Sequence, residues 1–270
     1  MDLIGKPIAI TGASSGIGRS TALACAREGM PVAVGARRAD RLESLVGEIK
    51  AAGGRAIAVP TDVDKPEDCR RLIDAAAAAF DRPLFAVFAN AGYGLERPVV
   101  ECSEAELRAI FETNFWGTLN TVRPALERML PARQGRVLIC TSCLAKIGMP
   151  YHAAYSATKA AQDHFARAMR IELEGSGVHI SSVHPIGTRT ELFEKSEERS
   201  GGRHAPRTPS RFMQPPERVA RAIVSALRRD RPPGEIWTST AARLAFAIGV
   251  AFPGLADRGL RDLTRKLRKT

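Results

Sequence analysis

Two of the chain's three tyrosines fall in the run YHAAYSATKA, residues 151–160, and Tyr155 is followed four positions later by Lys159. A helix through this run puts phenol and ammonium one turn apart on one face. Either they form a surface pair on an alanine-rich helix, or a fixed positive charge is held against a phenol. The second arrangement has a chemical use in proton transfer. Tyrosine titrates near 10, and bringing it near 7 takes about 4 kcal/mol of preferential phenolate stabilisation. A neighbouring cation supplies part of that; burial alone works in the opposite direction, so charge has to outweigh desolvation.

A second constellation lies near the start, in TGASSGIG at residues 11–18. Gly12, Gly16 and Gly18, with Ser14, Ser15 and Ile17 between them, stand where a first strand passes into a first helix. Missing side chains let the backbone turn tightly and approach a pyrophosphate, and the helix start offers free N–H groups. The spacing is G-x-x-x-G-x-G, not the commoner G-x-G-x-x-G. After the second strand, where a carboxylate would accept the adenosine ribose hydroxyls, the chain reads Gly35, Ala36, Arg37, Arg38. A guanidinium there favours a 2′-phosphate, so NADP(H) is preferred over NAD(H). The plainer reading of Arg37 and Arg38 is a solvated loop pair. Asp62 and Val63 follow the third strand and either touch the adenine edge or start the next helix.

These groups need a scaffold, and the chain alternates short β-rich runs with helical patterns. Strands are expected at 7–11, 31–36, 55–60, 84–89, 136–141, 178–184 and 235–238. Helices are expected near 16–28, 40–52, 66–80, 104–129, 153–174 and 216–228. Continuous apolar strands suit a parallel sheet covered on both faces. The expected fold is α/β: a single doubly wound Rossmann domain over 1–240, with a seven-stranded, mostly parallel sheet and helices on both faces. The charged, Gly- and Pro-rich stretch 191–216 is too long for an idle connection and reads as a substrate lid, the alternative being simple disorder. A helical extension, partly apolar and then basic, follows at 241–270.

Composition narrows the partners. The formal charge is +11, but the arginines are spread over predicted helices and one loop without aromatic interleaving, so no nucleic acid is expected; the positive field suits an anionic cofactor. The five cysteines lack framework spacing, and the first apolar run, 7–10, leads straight into glycines. Both point to a cytoplasmic setting. Cys140 and Cys143 form a CxxC at a strand end, read as packing, and no metal site is expected.

With TGASSGIG, ANAG (residues 89–92), an Asn within TNFWG, a Ser thirteen residues before Tyr155, and YSATK, the chain resembles the short-chain dehydrogenase/reductase family over residues 6–238. The resemblance implies hydride transfer between NAD(P) and a carbonyl or alcohol. Matched by position, Asn114, Ser142, Tyr155 and Lys159 are the catalytic tetrad. Asn114 would disturb its helix and hold a water leading from Lys159 to solvent. Asn90, with Ala91 and Gly92, matches the structural segment after strand four. Tyr155 and Lys159 also face the cofactor, as do Pro185, Thr188 and Thr190. The chain departs from the family in having Pro185-Ile186 where Pro-Gly is usual, and ANAG where N-N-A-G is common.

Tyr93, Leu144, Met149 and Phe193, with Phe212, fall where family members build the substrate pocket beside Ser142; His152, three before Tyr155, either lines the same site or simply starts the helix. They imply a fairly apolar substrate: a lipid, steroid, acyl or aromatic carbonyl. Family habit implies a homodimer or homotetramer through the fourth and fifth helices. The tail either packs over the pocket or a partner subunit, or makes a peripheral membrane contact. The alternative function is an NADPH-binding regulatory or scaffold protein without turnover. The intact tetrad argues against it, since a pure sensor has no need of Ser142.

Overall fold

The computed structural model describes residues 1–191, 195, 196, 198 and 213–267. Seven strands form one sheet: β1 (Ile8–Thr11), β2 (Val32–Ala36), β3 (Ala56–Pro60), β4 (Ala86–Ala89), β5 (Gly135–Cys140), β6 (Val178–His184) and β7 (Glu235–Trp237). Their order is β3-β2-β1-β4-β5-β6-β7, and every neighbouring pair is parallel. The strands are therefore parallel throughout rather than mostly so. After β3 the chain crosses over β1 to lay down β4, and the order reverses between these two strands. That reversal opens a crevice at their carboxyl ends.

Strand periodicity explains why helices cover both faces. Ile8, Ile10, Val32, Val34 and Phe88 point into one apolar layer, and Ala9, Ala33, Val87, Val137 and Ile139 into the other. The first layer is closed by α1 (Gly16–Arg27), α2 (Ala39–Ala51) and α7 (Pro216–Leu227) through Cys25, Leu45 and Ile223. The second is closed by α3 (Pro66–Ala78), α5 (Gly117–Met129) and α6 (Ala153–Glu172) through Leu72, Val122 and Ala166.

The helix expected over 104–129 is broken. A capping box between Ser103 and Glu106 starts α4 (Glu104–Phe111), and a π-helical turn, Glu112–Trp116, separates it from α5. The lid expected over 191–216 lies mostly outside the described residues, Phe193 and Phe212 included. Its ends approach each other at a bridge between Thr188 and Gln214. Beyond β7, α8 (Thr240–Ala251) is capped by Ser239, whose Oγ accepts from Ala242 N, and α9 (Pro253–Leu267) follows a bend of 109° measured to 262. No single helix among the described residues is long and apolar enough to cross a membrane, though this bent pair passes on length and composition together.

Candidate active site

A cleft of about 310 Å³ opens at the carboxyl ends of β1, β2, β4 and β5. Its floor is the glycine turn. Gly12 has φ +66°, and a Cβ there would stand 2.8 Å from Ala91 Cα; one on Gly18 would stand 2.4 Å from Gly12 O. Only glycine lets β4's end and α1's first turn come this close. Asn90 locks the approach: its Nδ2 donates to Thr11 O at 3.1 Å and Gly12 O at 3.3 Å, while Thr11 Oγ1 accepts from the N–H groups of Asn90 and Ala91. No side chain caps α1 at Ser15, which suits an anion at the helix start.

Next to this floor, Arg38 donates from Nε and Nη2 to Ser14 Oγ (3.2 and 2.9 Å), from Nη2 to Ser15 Oγ (3.1 Å), and from Nη1 to Glu191 (2.9 Å). Arg41 and Lys195 pair with the same Glu191. Burial works against the Glu191 carboxylate, but these three cations outweigh it and pull its pKa down to about 2. Arg37 lines the cleft with an exposed side chain. The two arginines thus differ: one is tied to the glycine turn and the other extends into solvent.

Asn114 sits in the π-helical turn and is fully buried. Its Oδ1 accepts from Tyr93 N (2.9 Å), and its Nδ2 donates to Tyr93 O (3.0 Å) and Thr158 Oγ1 (3.0 Å). The side chain therefore acts as a backbone partner for the segment after β4. Its own carbonyl accepts from Thr118 Oγ1 (2.8 Å) and Gln162 Nε2 (2.7 Å). A Cβ on Gly92 would stand 2.9 Å from Asn114 Oδ1 and 3.5 Å from Lys159 Nζ, so this glycine gives the two polar groups room.

Ser142 follows β5 in extended conformation, and its Oγ accepts from Leu144 N at 3.1 Å. Tyr155 and Lys159 rise from the first turns of α6. Lys159 is 3% exposed, donates to Cys140 O at 2.8 Å, and holds Nζ 5.7 Å from the Tyr155 ring centroid. Burial pulls its pKa down to about 8. Burial also pushes the Tyr155 phenol well above its usual range, with the Ser142 hydroxyl opposing. Burial thus works against the phenolate, the direction expected of burial alone. Lys159 lies over the ring and spends a hydrogen bond on Cys140, a geometry that weakens its pull on the hydroxyl.

Among the residues expected to hold a dinucleotide, Gly12, Ser14, Ser15, Gly16, Ile17, Arg37, Arg38, Asp62, Val63, Asn90, Ala91, Gly92, Tyr155, Lys159, Pro185, Thr188 and Thr190 all line this one cleft. Gly18 packs beneath it. Asp62 and Val63 precede α3 instead of opening it. Tyr93 and Ser142 reach the lining; Leu144, Met149 and His152 lie outside it, on the stretch between Ser142 and α6. Sequence reasoning missed Cys140, Thr141, Glu191 and Lys195. Strand register carried a signal for the first two, adjacent to Ser142, while the Glu191 pairings join positions about 150 residues apart. Cys143 is buried, its thiol pushed up to about 11, as fits a packing role.

The comparisons agree with this geometry. The sequence model of the family described as "short chain dehydrogenase" matches residues 6–201. The ketoacyl reductase HetN of Nostoc sp. is 32% identical over 98% of this chain and 93% of its own length. A short-chain dehydrogenase/reductase from Burkholderia phymatum, solved with NAD, superimposes with a TM-score of 0.82 at 25% identity, covering 95% of this chain and 96% of that one. An alcohol dehydrogenase from the archaeon Thermococcus sibiricus, complexed with 5-hydroxy-NADP, gives 0.75 at 29% identity over 86% and 95%. A parallel Rossmann-type sheet with its crevice between β1 and β4, joined to a family match spanning most of the sequence, makes this chain an oxidoreductase of the short-chain dehydrogenase/reductase family.

Proposed function

We propose that the protein interconverts a carbonyl and a secondary alcohol with NADP(H), on a fairly apolar substrate. The observation that carries this reading is convergence: Ser142, Tyr155 and Lys159 line the same cleft as the glycine turn and Arg37 and Arg38. Gly12, Ser14, Ser15, Gly16 and Ile17 would hold the diphosphate, Arg37 and Arg38 a 2′-phosphate, and Asp62 and Val63 the adenine edge. A nicotinamide dinucleotide held there supplies or takes the hydride. Tyr155 donates a proton to the carbonyl oxygen in reduction and takes it back in oxidation. The Ser142 hydroxyl hydrogen-bonds the same oxygen and holds it toward the phenol. Lys159 supplies positive charge, and Asn114 acts through the Tyr93 backbone that it holds.

The activities for which these relatives are named, ketoacyl reductase and alcohol dehydrogenase, support carbonyl–alcohol chemistry. The Burkholderia neighbour holds NAD and the Thermococcus one 5-hydroxy-NADP, so the NADP preference rests on Arg37 and Arg38. The test is a panel of steroid, acyl and aromatic carbonyls assayed with NADPH and NADH by absorbance loss. Turnover with NADPH is expected, and Arg37→Asp is expected to shift preference toward NADH by about tenfold or more. Tight NADPH binding without oxidation across the panel would count against the reading; unchanged preference in the variant would remove Arg37 from phosphate recognition.

The catalytic unit in this reading is 1–240, and the oligomer is a homodimer or homotetramer through the α4–α5 segment and α6, where Trp116 and Phe165 are 50% and 45% exposed. No residue of α8 is buried, and Leu244, Ile248, Val250, Phe252 and Leu255 face outward beside a basic α9 bearing Arg258, Arg261 and Arg265. An apolar face next to cations suits an anionic lipid surface. Full-length protein is expected to float with anionic vesicles and not with neutral ones. Unchanged sedimentation would end the membrane reading and leave the face to a second subunit.

A further inference from the structure

Behind Ser142 lies a buried polar cluster that the proposed chemistry does not use. His184, at the end of β6, is 0% exposed, and Asp163, on α6, is 5% exposed. His184 Nδ1 stands 3.1 Å from Ser142 O and 3.2 Å from Thr141 Oγ1. A carbonyl only accepts, and the Thr141 hydroxyl donates to Val183 O at 2.6 Å, so Nδ1 carries a proton and donates to both. Nε2 faces Ser182 Oγ at 3.0 Å and Asp163 Oδ1 at 3.4 Å; a carboxylate only accepts, so the Asp163 contact is a hydrogen bond when Nε2 carries a proton as well. Trp237 stacks on the imidazole at 4.5 Å and 7°, fixing its plane.

The other carboxylate oxygen, Asp163 Oδ2, accepts from Lys146 Nζ at 2.6 Å, and Lys146 also donates to Glu235 Oε1 at 2.8 Å. Glu235 Oε2 accepts from Trp237 Nε1 at 2.9 Å. Asp163, His184 and Glu235 bring donor atoms within 4.8 Å of one another, a spacing that could suit a metal ion. The Lys146 ammonium bridges the two carboxylates and provides the cation instead.

The chain path makes this more than a core ion pair. Ser142 begins a short 3-10 turn, Cys143–Ala145, and Lys146 ends it. Both ends of segment 142–146 therefore meet one carboxylate: the Ser142 end through His184, the Lys146 end directly. That carboxylate stands on α6 one turn beyond Lys159 and two beyond Tyr155, on the same face. We propose that Asp163 is a positioning residue that holds Ser142 in register with Tyr155, acting through His184 and Lys146. Replacing a buried ion pair with apolar groups is often neutral or stabilising, so stability alone gives little reason for this one. Burial raises the Asp163 carboxyl, but the bonds from His184 and Lys146 outweigh it and hold it well below the usual carboxylate range.

The inference rests on Ser142 and Tyr155 as the reacting groups, and the test separates the two ideas. Turnover is measured for Asp163→Asn, Ser142→Ala and the double variant in the full-length protein. Asp163→Asn is expected to lower kcat by about 10²-fold with NADPH affinity unchanged. Added to Ser142→Ala, it is expected to cost no more than about twofold further, because the two losses share one cause. Equal fold-losses in both backgrounds, or an unaltered kcat in Asp163→Asn, would overturn the clamp alone. Wild-type turnover by Ser142→Ala would overturn the reading of Ser142 and the clamp with it. If Asp163→Asn does not fold, Lys146→Met frees the other end of the segment, leaves Asp163 facing His184, and is read in the same cycle.

Discussion

Tyr155→Phe is expected to lower kcat by about 10³-fold while leaving NADPH affinity within about twofold of wild type. The magnitude follows from the loss of a general acid, which contributes about 10² to 10⁴ in rate. The substitution removes one hydroxyl and keeps the ring, which packs against the cluster of Leu95, Ile110 and Ala154. The fold should not notice it. Cofactor affinity should persist because the glycine turn, the Asn90 lock and the arginines lie elsewhere along the cleft. Lys159 keeps its bond to Cys140 O, so its position does not depend on the phenol. Single-turnover kinetics beside a fluorescence titration of NADPH separate the two quantities. Substantial turnover in the variant would refute the proton-donor role outright.

Much of the architecture could be read in advance because it rests on local, repeating signals. Continuous apolar runs located the strands to within a residue or two, and the glycines between β1 and α1 marked the turn from their spacing. Tyr155 and Lys159 were visible as a pair because four residues make one helical turn. What escaped depends on partners distant in the chain. The resemblance marked Asn114 as a disturbance in its helix, but not the π-helical turn at Glu112–Trp116 that results, nor the bonds of its amide to the backbone of Tyr93, 21 positions earlier. A charge also looks alike in sequence whether it is solvated or paired. Arg38 read as a phosphate ligand or half of a solvated loop pair, yet it meets Glu191, as does Arg41 of α2. Lys146, Asp163, His184 and Glu235 come from four separate elements and carry no mutual spacing at all. Spacing likewise brings Lys159 near Tyr155, but the direction of its ammonium is set by Cys140 O.

That same ammonium leads to a large opposed pair of effects in Lys159→Met: kcat falls by about 10²-fold or more, while the protein becomes more stable at neutral pH. The activity loss follows from removing the cation that the phenolate form requires. Stability moves the other way because Lys159 is 3% exposed and its pKa falls from 10.5 to about 8 on folding. Below pH 8 it is charged in both states, and burying the charge costs about 3 kcal/mol. The Cys140 carbonyl loses a hydrogen bond in the variant, which returns about 1 kcal/mol, leaving a net gain of about 2 kcal/mol. The sign of the pH dependence is fixed by linkage. Between pH 8 and 10.5 the unfolded lysine still binds its proton and the folded one does not, so wild-type stability rises with pH through that window. Thermal melts should therefore show Lys159→Met ahead by a few degrees at pH 7, with the lead shrinking as pH climbs past 8. A variant less stable than wild type at pH 7, or a lead that grows with pH, would mean that the buried lysine is compensated by its surroundings and is not held there at the expense of stability.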